Sequence, residues 1–225
     1  MTSPHTGLKK LFLLMDYLRG KVDKYLDVGC GYGTLTLELA ERCKAKEIYG
    51  VDINELSLQI ARSKGIKVRR VNINIEKLPY DHEYFDLITI IEVLEHLYNP
   101  DNVIEEAYRC LKRGGYLVVA TPNLTSWLNR ILVLSGYLPL HYEVSTRFIV
   151  EKRPFQRTYD VYGHIRLFTL KTLKRLLEAY NFKVIKVIGE TFPYMRRSWF
   201  TKLLDSILSK RPSLSADIIV LAQKQ

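Results

Sequence analysis

The stretch "LDVGCGYGTL", residues 26–35, ends a short apolar run and sets glycines at positions 29, 31 and 33, with Asp27 two residues before the first of them. The run ahead of it reads as a buried strand and "TLTLELAERC" behind it as a helix, so the glycines occupy a strand-to-helix turn. Backbone that bare turns tightly, admits a ligand close to the main chain and offers it the N–H groups of the helix start. A dinucleotide fingerprint spaces its glycines as GxGxxG; here the spacing is GxGxG, with Thr34 following Gly33. That weighs against a pyrophosphate ligand and against a nicotinamide oxidoreductase.

Outward from the turn the chain alternates. Strands are expected at "KYLDVG", "EIYGVDI", "KVRRVNI", "FDLITII", "YLVVAT", "KVIKVIG" and "ADIIVLAQ". Between them lie helices such as "NELSLQIARSKG", opened by Asn54 and closed by Gly65, "DNVIEEAYRCLKRGG", and "TLKTLKRLLEAYNF", capped by Thr169. An amphipathic helix with Leu8, Leu11, Phe12, Met15 and Leu18 on one face precedes them. This order predicts an α/β fold, doubly wound, with a mostly parallel seven-stranded sheet. Residues 1–225 read as a single domain, with a core over 20–122. The rhythm breaks over 123–165, too long for a simple connection, and that segment is expected to form a substrate cap or lid inserted after strand five.

Charge is divided unevenly. Residues 121–225 hold 17 of the 34 Lys and Arg but only 7 of the 24 Asp and Glu, so the whole net charge of +10 resides there. An anionic partner is one explanation, and a lysine-rich surface of a heat-adapted protein is the other. The three cysteines, Cys30, Cys43 and Cys110, have no CxxC spacing and suggest neither disulfides nor zinc. The first residues lack a signal-peptide pattern, and the longest uncharged apolar run, residues 131–142, is too short to span a bilayer. A cytoplasmic location is expected.

Three further pieces appear in order. Asp52 ends the second strand, "KLPYDHEYFDLI" leads into the fourth, and "EVLEHLYNP" follows it. Together with the glycine turn they resemble the class I S-adenosylmethionine-dependent methyltransferases of the small-molecule branch, similar to those of ubiquinone and menaquinone biosynthesis. The resemblance is close over residues 20–125 and extends over most of 160–190. It implies a Rossmann-like methyltransferase fold, S-adenosylmethionine as cofactor, and methyl transfer by in-line displacement to an O or N of a small acceptor, anionic or apolar. By position it implies that Asp27, Gly29, Cys30, Gly31 and Gly33 hold the methionine part, that Asp52 binds the ribose, and that Ile53 lies against the adenine. Asn74 stands where the family commonly has an aspartate accepting from the adenine amino group; its amide oxygen accepts without charge. Ile75 would supply a backbone N–H, and Ile91 and Glu92 would border the reactive methyl.

A hydroxyl acceptor needs a base. By the resemblance His164, in "GHIRLF", faces the acceptor, with Arg166 on the same side. His96 is the second candidate, because Glu92, Glu95 and His96 at i, i+3 and i+4 would share a helical face. That grouping resembles a divalent-metal triad of small-RNA and quinone-precursor methyltransferases, but the same letters brace metal-free relatives, and no metal is expected. The cap mixes apolar residues (Trp127, Leu128, Ile131, Leu132) with arginines and aromatics. It suits a small acceptor, an anionic membrane surface or RNA, and half of its apolar residues are expected to be core. RNA methyl transfer and cofactor binding without catalysis are the alternative functions; the oligomeric state is left open.

Overall fold

The apolar runs become strands wherever the burial on both faces matches them. A computed structural model describes residues 9–145, 147–148, 150–151, 163–192 and 199–225. Its single sheet contains β1 (Lys24–Val28), β2 (Glu47–Asp52), β3 (Lys67–Arg70), β4 (Phe85–Ile91), β5 (Leu111–Pro122), β6 (Phe182–Glu190) and β7 (Asp217–Lys224). The order is β3-β2-β1-β4-β5-β7-β6. The first five strands run parallel; β7 is antiparallel to both its neighbours. The doubly wound, mostly parallel sheet of seven strands is as expected.

Helices α1 (Lys9–Tyr17), α2 (Thr34–Cys43), α3 (Glu55–Ser63), α4 (Pro100–Cys110), α5 (Trp127–Leu134), α6 (Leu170–Ala179) and α7 (Trp199–Leu208) complete the fold. Alternate residues of β4 enter opposite cores: Ile88 and Ile90 join the layer containing α4 and α6, and Leu87 and Ile91 join the layer containing α1 and α2. Asn54 caps α3 by accepting from the Ser57 N–H, and Thr169 caps α6 in a reciprocal pair with Thr172.

The expected helix through Gly115 stops earlier, at Cys110, and the chain enters β5 at once. The reason lies in the glycines that follow: Gly114 has φ of 74°, and a Cβ on Gly115 would stand 2.8 Å from the Lys112 carbonyl oxygen. The segment turns too sharply for a helix.

Winding outward in two directions from β1 and β4 leaves a crevice at the carboxyl ends of the central strands, where ligands of open α/β sheets bind. The glycine turn stands over it. Gly29, Gly31 and Gly33 all have positive φ, and two of them are hemmed in: a Cβ on Gly29 would meet Val93 Cγ2 at 2.4 Å, and one on Gly33 would meet Ile66 Cδ1 at 2.3 Å and Ala61 Cβ at 3.1 Å. A Cβ on Gly31 would meet nothing within 4 Å. We expect Gly33→Ala to cost roughly 2–3 kcal/mol, from left-handed strain plus overpacking against buried Ile66, and Gly20→Ala, which has the same strain but open space, to cost about 1 kcal/mol. Urea unfolding midpoints of the two variants test this; equal losses would show that close packing is not what demands Gly33.

Candidate functional site

Asp52 ends β2 beside the turn, and its carboxylate organises it. One oxygen accepts from the Gly31 N–H at 2.9 Å and the other from the Asn54 N–H at 2.9 Å. The crevice so formed has a volume of about 330 Å³ and is lined by Gly29, Asp52, Ile53, Asn74, Glu92, Val93, His96 and Leu97, among others. That is within the range of small-ligand sites. A larger concavity, about 1000 Å³, lies at the β3 edge among Tyr49, Arg69, Lys77 and Tyr80. It contains none of the turn, Asp52 or Glu92, so the smaller crevice is the candidate site.

Several expected residues have other work. Asp27 does not face the crevice. It is buried under the turn, accepting from the Thr36 and Thr89 hydroxyls at 2.6 Å each, while the Tyr25 hydroxyl bonds Thr89. Burial pushes its carboxyl up to about 6, against the pull of those two hydroxyls. Cys30 is also buried, its sulfur within 2.6 Å of where a Cβ on Gly50 would be, and packs α3 against the sheet. The Asn74 amide oxygen is occupied by the backbone N–H groups of Tyr98 (2.8 Å) and Asn99 (3.2 Å). It clamps the loop after β4 at the crevice wall, with its oxygen engaged by these two donors. The Ile75 N–H donates within a turn to the Asn72 carbonyl, and its side chain is exposed away from the crevice lining. Ile53 is exposed and lines the crevice. Ile91 is buried among α1 and α2 residues.

The expected helical face of Glu92, Glu95 and His96 does not form. Glu92 has φ of 53° and only Leu94–His96 makes a turn, of the 3-10 type, so Glu92 points apart from a helical register. His164 takes its place from a distant part of the chain. The Ile165 and Arg166 N–H groups donate to the Glu95 carbonyl (2.7 and 3.0 Å), and the Arg166 guanidinium donates to the Leu97 and Tyr98 carbonyls. Arg166 is therefore a clamp on the loop after β4.

These bonds lay His164 against His96 with ring centroids 4.7 Å apart, and bring one donor atom each of Glu95, His96 and His164 within 4.8 Å of one another. Nδ1 of His164 donates to the His141 carbonyl at 3.2 Å, which leaves Nε2 as the basic nitrogen. Burial first, and then His96, lower its pKa, so the imidazole is neutral at neutral pH.

Glu95 is buried; one oxygen accepts from Thr121 at 3.0 Å, and Oε1 has no hydrogen-bond partner among the described residues. Glu92 borders the crevice, open to it but ringed by protein. Burial, the charges of Glu95 and Asp217, and a hydrogen bond to Glu95 hold its carboxyl well above the usual range. Asp217, at the start of β7, is raised to about 7 by burial and by Glu95, Glu190 and Asp205. No motif marks Asp217, Thr36 or Thr89; only the sheet order brings them in.

A family model described as a methyltransferase domain matches residues 6–187. The chain belongs to that family. Its cofactor is S-adenosylmethionine. Among curated relatives, an Idiomarina loihiensis ubiquinone biosynthesis O-methyltransferase is 36% identical over 144 residues, covering 60% of this chain and 58% of its own length. A Pseudomonas entomophila protein of the same name is 38% identical over 111 residues, covering 47% and 46%. This methyltransferase chain thus spans about half to three fifths of those relatives. Solved SAM-dependent methyltransferases from Thermotoga maritima (TM-score 0.62, 21% identity, 95% of this chain and 87% of that one) and Archaeoglobus fulgidus (0.61, 21%, 96% and 91%) share the fold.

Asp27 gives the methyltransferase a titration signature. Its folded value of about 6 exceeds the unfolded value near 3.8, so the folded state holds the proton more tightly and loses stability relative to the unfolded chain as pH rises from about 4 to about 6. Two pKa units correspond to about 3 kcal/mol. The stability difference between Asp27→Asn and the parent, from chemical denaturation at pH 3.5 to 7, is expected to grow in favour of the variant over that window. A flat difference would mean that the carboxyl is not strained by burial.

Proposed function

We propose that the chain catalyses S-adenosylmethionine-dependent O-methylation of a small-molecule hydroxyl, with His164 as the general base. The observation that carries this reading is that the glycine turn at Gly29, the Asp52 carboxylate and His96 line one crevice, with the neutral imidazole of His164 packed against His96 at its edge. In this reading the main chain at Gly29 and Gly31 holds the methionine end, Asp52 accepts from the ribose hydroxyls and Ile53 covers the base. S-adenosylmethionine, when bound, supplies a methyl on a sulfonium, open to in-line attack.

What the protein adds is alignment, exclusion of water and removal of one proton. Nε2 of His164 takes the acceptor proton, and the Nδ1 bond to His141 keeps the ring turned for it. The relatives' name, ubiquinone biosynthesis O-methyltransferase, supports oxygen as the accepting atom and a quinone precursor as the substrate class. The cap over residues 123–165 would close on that substrate; its residues 146, 149 and 152–162 lie outside those described.

A second reading concerns metal. The sequence favours none, yet Glu95, His96 and His164 offer one oxygen and two nitrogens within 4.8 Å of one another, and Glu95 Oε1 has no hydrogen-bond partner among the described residues. Such a set fits a divalent cation of the zinc or manganese type. A cation there would polarise the acceptor hydroxyl and draw Glu95 and both imidazoles into its coordination, replacing the base role of His164.

Calorimetry with S-adenosylhomocysteine and with NADH tests the cofactor: binding of the first alone is expected, and Asp52→Ala should abolish it with the fold intact by circular dichroism. Transfer of labelled methyl to phenolic acceptors should fall at acid pH, with a midpoint below the ordinary histidine value of about 6.5, and should be lost in His164→Ala with cofactor affinity kept. Activity unchanged by EDTA supports the base reading; loss restored by added metal supports the second. Labelling of RNA in place of phenols would favour the RNA alternative, and cofactor binding with no transfer the non-catalytic one.

A further inference from the structure

We infer that α5 and α7 together form a docking face for an anionic phospholipid surface. Helix α7 is apolar on two sides: Leu204 and Leu208 pack into the core, and a second apolar stripe faces outward. Its outward stripe carries Trp199, Leu203 and Ile207, exposed by 77%, 51% and 52%, spaced four residues apart, with Lys202 and Lys210 beside them. Its inward face carries Asp205 and Ser209, both buried. Asp205 is held there by hydrogen bonds, accepting from the Trp127 Nε1–H at 2.9 Å, the Phe192 N–H at 3.1 Å and the Ser209 hydroxyl at 3.3 Å. A helix stabilised by core packing alone would be apolar on the core side and polar on the other; here Trp199, Leu203 and Ile207 leave the outer side apolar as well.

The adjoining helix does the same. On α5, Trp127, Leu128 and Leu132 enter a small core shared with Leu204 and Leu208 of α7. Ile131, Val133 and Leu134 are left exposed, Leu134 by 88%. Single exposed apolar residues need no explanation, but six on two helices that share one core make a patch.

Charge selects what covers it. In residues 127–137 and 199–211 the exposed charges are Arg130, Lys202, Lys210 and Arg211, all positive, and the one acid, Asp205, is the buried one. A second copy would bring the same cations against them and be repelled. An apolar stripe with tryptophan, edged by lysine and arginine, is the signature of a helix lying in a lipid headgroup region. No helix among the described residues is long and apolar enough to cross a membrane, so the contact is with the surface.

The chain has two tryptophans, and Trp127 is buried at 8% exposure, so a change in emission on binding reports Trp199. The full chain is mixed with vesicles of phosphatidylcholine alone or with phosphatidylglycerol at 3:1. We expect a blue shift and co-sedimentation with the anionic vesicles only, both weakened by salt. Lys202→Gln with Lys210→Gln should weaken binding roughly 30-fold, at about 1 kcal/mol per cation near the surface. Leu203→Ser with Ile207→Ser should abolish it while leaving thermal unfolding near the parent's. Equal binding to neutral vesicles, no shift with either, or binding retained by the serine variant would overturn the inference. So would a shift that grows with protein concentration without lipid, which would assign the face to a second copy.

Discussion

The carboxylate of Asp52 and the bare backbone of the glycine turn hold each other in place. Asp52 accepts from the Gly31 N–H and from the Asn54 N–H that opens α3, so one side chain joins the ends of β1 and β2 and the start of the next helix. That bond exists only if the turn runs close over the strand ends, which requires positive φ at Gly29 and Gly33 and room filled by Val93 and Ile66. Remove the constraint and the crevice loses its floor and its anchoring acid together. Asp27 supports the same turn from beneath, at the expense of burying a carboxyl between two hydroxyls.

A second constraint builds the chemical half of the site. The chain from Gly163 to Arg166 crosses the 3-10 turn after β4 and is tied to it through the carbonyls of Glu95, Leu97 and Tyr98. Asn74 ties the same loop from the opposite side through two N–H groups. The loop is thereby pinned by donors and acceptors alike, and His164 comes to rest against His96. Around them Glu92, Glu95 and Asp217 stand close enough together, with Glu95 fully buried, that all three are raised. Such crowding is costly unless something positive is drawn in, and perturbed acids beside a poised imidazole mark functional sites.

The C-terminal half adds a surface to this site. Asp205 satisfies an indole and a backbone donor inside the protein and, in doing so, turns the apolar stripe of α7 outward beside the exposed residues of α5. The positive excess of residues 121–225 lies in the same half of the chain as this face.

Periodicity and turn chemistry were enough to read the seven strands, the caps at Asn54 and Thr169, the glycine turn and Asp52, because each is set by residues adjacent in the chain. The sequence motif also named His96 and His164 without showing that they touch. What it did not show were contacts decided by partners far away: the Asn74 oxygen and the Ile75 N–H bond backbone groups, Asp27 faces inward, and Glu92, expected on a helical face, leaves that register through a left-handed backbone. Neither Asp217 nor the outward face of α7 has a local signature. A strand's residues announce their burial by their spacing, but which donor meets which acceptor across 70 or 120 residues is fixed only when the sheet order closes the distance.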